Sequence, residues 1–362
     1  MKKTLALILA LAMSLSLLTA CGSKEEAPAE ETPAEEGGET AGLPGEGMKI
    51  ALVCDKVGTN MFLVQMVNAL NEAAETYGYE PYVVECADTA AFEDNIRALA
   101  VEAESGEYDL IIGGGWAAGD PMNKVANEFP DASTYCLIDT EVDNDNIKCI
   151  GYREQEGAYL IGALAALTVD GESHMYGGVH VTEGPGSWKY RYGYMEGVKS
   201  IDPEAQFVFN YTNSFSDPAK AKELAIQQYE QGCLFINDAA AAGGDGVFEA
   251  AKEKGFYTSG QDADQTDANN PYIVSTQLKD TYQTLLNVVD EFFSGNWTND
   301  TAVWGVAEGA IGAVYVTHES ENPRSERLSD EDIAQLQQIA EDLRTGALDL
   351  KEYPTEEEYL AG

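Results

Sequence analysis

The chain has few basic residues. Its 21 lysines and arginines stand against 63 aspartates and glutamates, which gives a formal net charge of -42. An excess of negative charge of this size repels the phosphates of nucleic acids and the headgroups of anionic lipids. The composition therefore excludes nucleic acid as a partner, and it indicates a surface that is kept soluble by its charge.

Common metal-binding and catalytic motifs are missing as well. The chain has only 3 histidines, and none of its 6 cysteines forms the CxxC spacing of a zinc or redox site. There is no GxSxG, HExxH or P-loop pattern. His180 and Glu183 lie at the end of a predicted strand, where their spacing does not place both side chains on one face. The acidic loops 143–146 and 262–270 lack the glycine and terminal glutamate of an EF-hand. We therefore expect no metal, no cofactor and no enzymatic activity.

The N-terminus carries an apolar run that is shorter than the ~20 residues of a membrane-spanning helix. Lys2 and Lys3 precede this run, which extends from Leu5 to Leu18 and is followed by Thr-Ala-Cys21. This order is typical of a signal peptide, residues 1–20, that ends at a lipoprotein processing site. We expect Cys21 to be lipidated and to anchor the mature chain on the extracellular face of the cell membrane. The alternative is an ordinary secretory peptide that contains a cysteine.

The segment after the signal peptide has little that could form a core. Between Gly22 and Gly47 nearly all residues are Gly, Ala, Pro, Glu, Ser or Thr, and Leu43 is the only large apolar side chain. Such a composition cannot bury enough surface to fold. We therefore interpret residues 21–47 as the lipidated cysteine followed by a disordered acidic tether.

Beyond the tether, apolar strand-like runs alternate with helical patterns along most of the chain. This alternation predicts parallel sheets flanked by helices. The pattern runs from Met48 to Asp139 and starts again with the strongly apolar helical segment Glu156–Val169. The restart favours two α/β lobes over one continuous sheet.

Candidate ligand contacts follow the predicted strands, because open α/β sheets bind ligands beyond the carboxyl ends of their strands. Aromatic rings can stack on a ring system, carboxylates accept hydrogen bonds from hydroxyl groups, and glycines let the backbone approach a ligand closely. Taken singly, the aromatic residues could be packing residues and the aspartates could be helix caps. Together the candidates are Phe62, Trp116, Asp139, Tyr190, Gly244, Asp262 and Lys279.

From about Lys49 to Val314 the sequence resembles the basic membrane protein family, whose best understood members are purine nucleoside receptor lipoproteins that feed ATP-driven importers. The most specific blocks in this chain are 108–116 (YDLIIGGGW), 138–139 (ID), 156–162 (EGAYLIG), 193–197 (GYMEG), 246–255 (GVFEAAKEKG), 260–265 (GQDADQ) and 275–279 (STQLK).

The resemblance implies a type I periplasmic binding protein, with two Rossmann-like lobes joined by a three-stranded hinge and closing on a solute. With this topology, we expect residues 48–151 plus 277–297 to form the N-terminal lobe. Residues 152–276 plus 302–345 would form the C-terminal lobe. The implied partners are a small-molecule ligand, which the family's best understood members suggest is a nucleoside, and the permease and ATPase subunits of an ABC importer.

The resemblance also suggests roles for individual residues. Asp139 and Asp262 correspond to carboxylates near the ligand, with Asp262 resembling the ribose partner, and Lys279 matches the lysine of the last hinge block. Trp116 stands where the family usually has Phe, and Tyr190 matches an aromatic residue that faces the base. The first loop departs from the family pattern, because it keeps Phe62 but lacks the asparagine that normally follows. In the family this loop contacts the base, so the missing asparagine bears on the purine preference that the resemblance implies.

Two other classes of function compete with this interpretation. The segment 113–118 (GGGWAA) fits the GxGxxA pattern of a dinucleotide-binding oxidoreductase, with Asp139 ending the next strand. This match falls on the third strand instead of the first, and Trp116 would crowd the pyrophosphate. A tethered sensor that binds a sugar or another small polar solute would have the same sequence features as a transport receptor.

Overall fold

A computed structural model describes residues 42–361 of the chain. The predicted signal peptide, Cys21 and the tether as far as Ala41 lie outside the described residues. The expectation of a disordered tether is wrong for residues 42–47, of which 44–47 form a turn against the first lobe. The backbone N–H of Gly45 donates to the carbonyl oxygen of Tyr77 at 2.8 Å. Gly45 is buried there, so the backbone of this turn packs closely on the helix end.

The described residues alternate between strands and helices, as the sequence pattern predicts. The strands are β1 (Lys49–Asp55), β2 (Glu80–Cys86), β3 (Leu110–Gly114), β4 (Thr134–Ile138), β5 (Ile147–Tyr152), β6 (Met175–His180), β7 (Gln206–Tyr211), β8 (Phe235–Ala239), β9 (Tyr257–Asp262), β10 (Ile273–Lys279), β11 (Thr301–Trp304) and β12 (Ile311–Ala313). The helices are α1 (Met61–Tyr77), α2 (Thr89–Ala103), α3 (Gly119–Glu128), α4 (Glu154–Val169), α5 (Pro185–Ile201), α6 (Pro218–Glu230), α7 (Gly244–Lys254), α8 (Thr281–Ser294), α9 (Asp330–Thr345) and α10 (Glu356–Ala361).

The strands form two separate sheets, one in each lobe. The first has the order β11-β5-β4-β3-β1-β2, and the second has the order β12-β10-β9-β8-β6-β7. Neighbouring strands are parallel throughout, for example β1 with β3 and β8 with β9, except that β12 is antiparallel to β10. The predicted α/β fold with two Rossmann-like lobes is therefore confirmed.

The chain passes between the lobes three times. It leaves the first sheet after β5, returns after β10 to add α8 and β11, and crosses again before β12. Two expected lobe boundaries need correction. Residues 302–304 pair with β5 in the first sheet, and residues 277–279 end β10 in the second sheet. The sequence pattern could not assign these short strands, because a strand joins whichever sheet edge its crossing segment reaches.

Helix α4 forms the centre of the second lobe and is buried on nearly all sides. Glycines allow α5 to pack directly against it. A Cβ at Gly162 would overlap the backbone of Tyr194, and a Cβ at Gly197 would overlap the backbone of Tyr159. Close helix contact of this kind fixes the position of α5, which carries two residues of the candidate site.

Within residues 42–361, no helix combines the length and apolarity that crossing a membrane requires.

Candidate functional site

Asp139 and Asp262 occupy equivalent positions in the two lobes. Asp139 directly follows β4 of the first sheet, and Asp262 is the last residue of β9 in the second. Both residues have left-handed backbones, with φ of 77° and 70°. Non-glycine residues rarely adopt this conformation, and such strain is concentrated at functional sites. The turn after each strand thus holds an aspartate in a defined direction at the strand end.

A chain of alternating charges lies at the hinge between the lobes. Lys279, at the end of β10, places its Nζ 2.6 Å from Oδ1 of Asp139 and 3.1 Å from Oε1 of Glu154. The other oxygen of Glu154 accepts a hydrogen bond from Lys189 of α5 at 2.9 Å. Lys279 is only 4% exposed. Two carboxylates therefore take two of the three N–H donors of its ammonium group.

The protonation states of these groups follow from their pairing. Burial by itself would raise the pKa of Glu154, but Lys279 and Lys189 outweigh it and bring that pKa to about 2. Burial opposes the charged form of Lys279, yet Asp139, Tyr190 and Glu154 hold its pKa well above the ordinary value. Burial raises the pKa of Asp139 above its ordinary value, while Lys279 opposes this rise. Lys279 is therefore charged and Glu154 ionised at neutral pH.

Three aromatic rings surround the ammonium group of Lys279. Its Nζ lies 5.3 Å from the ring centre of Phe62, 5.2 Å from that of Tyr152 and 5.7 Å from that of Tyr190. Distances in this range permit cation–π attraction. Phe62 is fixed in the first turn of α1, where its carbonyl oxygen accepts a hydrogen bond from the Thr281 hydroxyl at 2.8 Å. The structure thus brings Phe62, Tyr190, Asp139 and Lys279 together.

Asp262 lies beside this cluster. The side-chain amide of Gln65, on α1, donates to the backbone oxygens of Asp262 and Lys279 at 3.3 Å and 3.2 Å. Asp262 is 8% exposed, and burial raises the pKa of its carboxyl group to about 7. It also borders a cavity of about 400 Å³ that Gln65 and Tyr282 help to line. A solute hydroxyl at this place would meet a carboxylate that can accept hydrogen bonds.

The other two candidates, Trp116 and Gly244, have different surroundings. Trp116 is 68% exposed, and its ring enters no aromatic pair among the described residues. The backbone of the preceding Gly115 approaches Phe62, since a Cβ there would lie 3.6 Å from its ring. Gly244 begins α7, and its backbone packs against the carboxyl group of Asp238.

Sequence reasoning missed Glu154, Lys189, Tyr152 and Asp238. Tyr152 and Glu154 flank the end of β5, a strand that the sequence pattern did not identify. Lys189 precedes the candidate Tyr190 on α5, and its Nζ also approaches the Tyr152 carbonyl oxygen at 3.4 Å. The rule that placed the other candidates at strand ends would have found Glu154 had β5 been recognised.

The family described as ABC transporter substrate-binding protein, PnrA-like, matches residues 51–346. The chain belongs to this family. The resemblance to basic membrane proteins is therefore confirmed. Basic membrane protein B of Borrelia garinii subsp. bavariensis is 31% identical over 247 residues, which cover 61% of this chain and 71% of that protein.

Other relatives share shorter regions or the fold. A CD4+ T-cell-stimulating antigen of Listeria monocytogenes is 30% identical over 207 residues, which cover 55% of this chain and 55% of that protein. The chain thus matches about half the length of that relative. A crystal structure of an ABC transporter solute-binding protein from Aeropyrum pernix has a TM-score of 0.76 at 23% identity, covering 87% of this chain and 96% of that one. That likeness supports the type I periplasmic binding protein fold.

Proposed function

We propose that this protein is a lipid-anchored receptor on the extracellular face of the membrane that captures a purine nucleoside and delivers it to an ABC importer. The solute would lie between the lobes, which would close on it by rotation about the three crossing segments. The base would be held among Phe62, Trp116 and Tyr190. Asp262 and Lys279, with Asp139 and Gly244 nearby, would hold the sugar.

The observation that carries the proposal is the combination of rings and charged groups around Lys279. Phe62 and Tyr190 supply apolar ring faces within 6 Å of an ammonium group that is already paired with Asp139. A nucleoside joins an aromatic base to a polyhydroxylated sugar, and therefore offers partners to both the rings and the carboxylates.

The transport role rests on family membership and on the N-terminal sequence. Substrate-binding proteins of ABC transporters require a permease and an ATPase, which we propose as the partners of this chain. Lipidation at Cys21 would keep the receptor beside the permease, because its acyl chains anchor it stably in the bilayer.

The test is calorimetric titration of the purified protein with nucleosides, free bases, pentoses and amino acids. We expect inosine, guanosine or adenosine to bind, and the corresponding free base and pentose to bind more weakly. A protein that binds a sugar or an amino acid but no nucleoside would contradict the ligand assignment. Transport is tested separately, by measuring nucleoside uptake in cells that lack the protein.

A further inference from the structure

Asp238 is a buried carboxyl group near the cleft that takes no part in the charge network around Lys279. It is the fourth residue of β8, the strand beside the one that ends at Asp262. Its side chain is 2% exposed. Oδ1 accepts a hydrogen bond from the backbone N–H of Ala240 at 2.9 Å. Within residues 42–361, Oδ2 has no hydrogen-bond partner.

The carboxyl group of Asp238 has room because residue 244, which packs against it, is a glycine. A Cβ at Gly244 would overlap Oδ2 of Asp238. We call residues 240–245, which comprise the connection from β8 and the first two residues of α7, the jaw turn. Asp238 contacts this turn near both ends, through Ala240 and Gly244. Between them, Ala241 has a φ of 54°, a strained value for a residue with a side chain. The position of the jaw turn therefore depends on the carboxyl group of Asp238, against which it packs.

The jaw turn also contacts the first lobe. Asp245, the last residue of the turn, accepts a hydrogen bond from the hydroxyl of Thr59 at 3.4 Å. Thr59 lies in the loop before α1, the helix that carries Phe62. A displacement of the jaw turn would therefore alter both a wall of the cleft and a contact between the lobes.

We propose that Asp238 is a positioning residue that holds the jaw turn in place only while its carboxyl group is protonated. The consequence for solute binding rests on the proposed function, whereas the consequence for stability does not. A neutral carboxyl group can be buried without a partner for one oxygen at much lower cost than a carboxylate can.

The charges around Asp238 support this assignment. Burial raises its pKa to about 8, the Ala240 N–H opposes the rise, and the charges of Asp262 on β9 and Asp245 on α7 add to it. A pKa raised in the folded state stabilises the fold fully below the ordinary pKa of an aspartate. That stabilisation is lost as the pH rises through about 8.

The first test measures stability without any ligand. Asp238→Asn keeps the acceptor for Ala240 and cannot ionise. Between pH 6 and pH 9 we expect the melting temperature of the variant to rise by roughly 3 °C relative to that of the wild type. Glu249→Gln, which removes an exposed carboxylate from α7, the helix that follows the jaw turn, should show no such change. A difference between Asp238→Asn and wild type that does not vary with pH would overturn the proposal.

A second measurement does not depend on the folding of a variant. Carbon-13 NMR of the wild-type aspartate carboxyl groups, with Asp238 assigned, should show titration near pH 8. Titration near pH 4 would overturn the proposal.

The third test measures inosine affinity at pH 7 and pH 9 by calorimetry. The ratio of variant to wild-type affinity should rise about tenfold over this range, because only about one in ten wild-type molecules keeps the proton one unit above its pKa. A constant ratio would contradict the link to binding. If the wild type binds no inosine, the nucleoside assignment fails, and the ligand-free tests still decide the role of Asp238.

Discussion

The ammonium group of Lys279 lies 2.6 Å from Oδ1 of Asp139 and joins two lobes that the chain builds separately. Asp139 follows β4 of the first sheet, whereas Lys279 ends β10 of the second. Glu154, where the chain first crosses between the lobes, binds the same ammonium group at 3.1 Å. This arrangement places a buried ion cluster at the hinge, where it can stabilise one relative position of the lobes.

Replacing Lys279 by Met should strongly destabilise the protein. The change leaves Asp139 and Glu154 buried without their shared cation, and breaking a buried pair in this way costs about 3–5 kcal/mol. Urea unfolding measured by circular dichroism tests this. Lys252→Met, at an exposed position on α7, is the control and should leave the free energy of unfolding nearly unchanged. Equal losses in the two variants would show that the cluster has no special role.

Replacing Asp262 by Ala should weaken nucleoside binding by about 30-fold, because a buried charged hydrogen bond to a hydroxyl contributes about 2–5 kcal/mol. Binding of the free base should not change, since the base has no ribose. Calorimetry on the wild type and the variant, each with the nucleoside and the free base, measures the effect. Nucleoside binding that equals the wild type would disprove the ribose assignment.

The ionisation of Asp262 predicts a pH dependence of the opposite sign to that of Asp238. Burial raises the pKa of Asp262 to about 7, so the group loses its charge as the pH falls through that value. If the carboxylate accepts the sugar hydroxyls, nucleoside affinity should decline from pH 7.5 to pH 5.5. This decline should be absent in Asp262→Ala, and its persistence in that variant would assign it to another group.

Replacing Gly197 by Ala should separate α4 from α5. The added Cβ would overlap the carbonyl group of Tyr159 on α4, and overpacking of this kind costs about 1–3 kcal/mol. Gly186→Ala is the matched control on α5, because nothing lies within 4 Å of its Cβ position. Thermal unfolding of both variants distinguishes the cases. A stable Gly197→Ala protein would mean that the helices can move apart without loss.

Replacing Cys21 by Ser should abolish lipidation and release the protein from the membrane. The variant would lack the acyl chains on residue 21 that anchor the protein stably in the membrane. Fractionation of expressing cells, with immunoblotting of membrane and soluble fractions, tests this. Unchanged membrane partitioning of the variant would show that another segment anchors the chain.

Several elements could be predicted closely because their signals are local. The apolar helical segment Glu156–Val169, predicted from the sequence, lies within α4 (Glu154–Val169), since a long run of apolar residues is a local signal. Strand β5 was not identified. It contains Lys148, which is buried in ion pairs with Glu291 and Asp300. The sequence of β5 is therefore more polar than that of most buried strands. With β5 missing, Tyr152 and Glu154 could not be placed at a strand end.

The amino-acid sequence by itself determined the two-lobe α/β architecture, because alternating strand and helix patterns are properties of neighbouring residues. It also placed Asp139, Asp262 and Lys279 at strand ends, which each parallel sheet brings to its own carboxyl edge. Only the tertiary structure decided that Lys279 is held by Asp139 and Glu154, and that Asp238 lies beneath Gly244 without a partner for Oδ2. These relationships join residues that are distant in the chain, and their charge states depend on burial, which exists only once the lobes have packed.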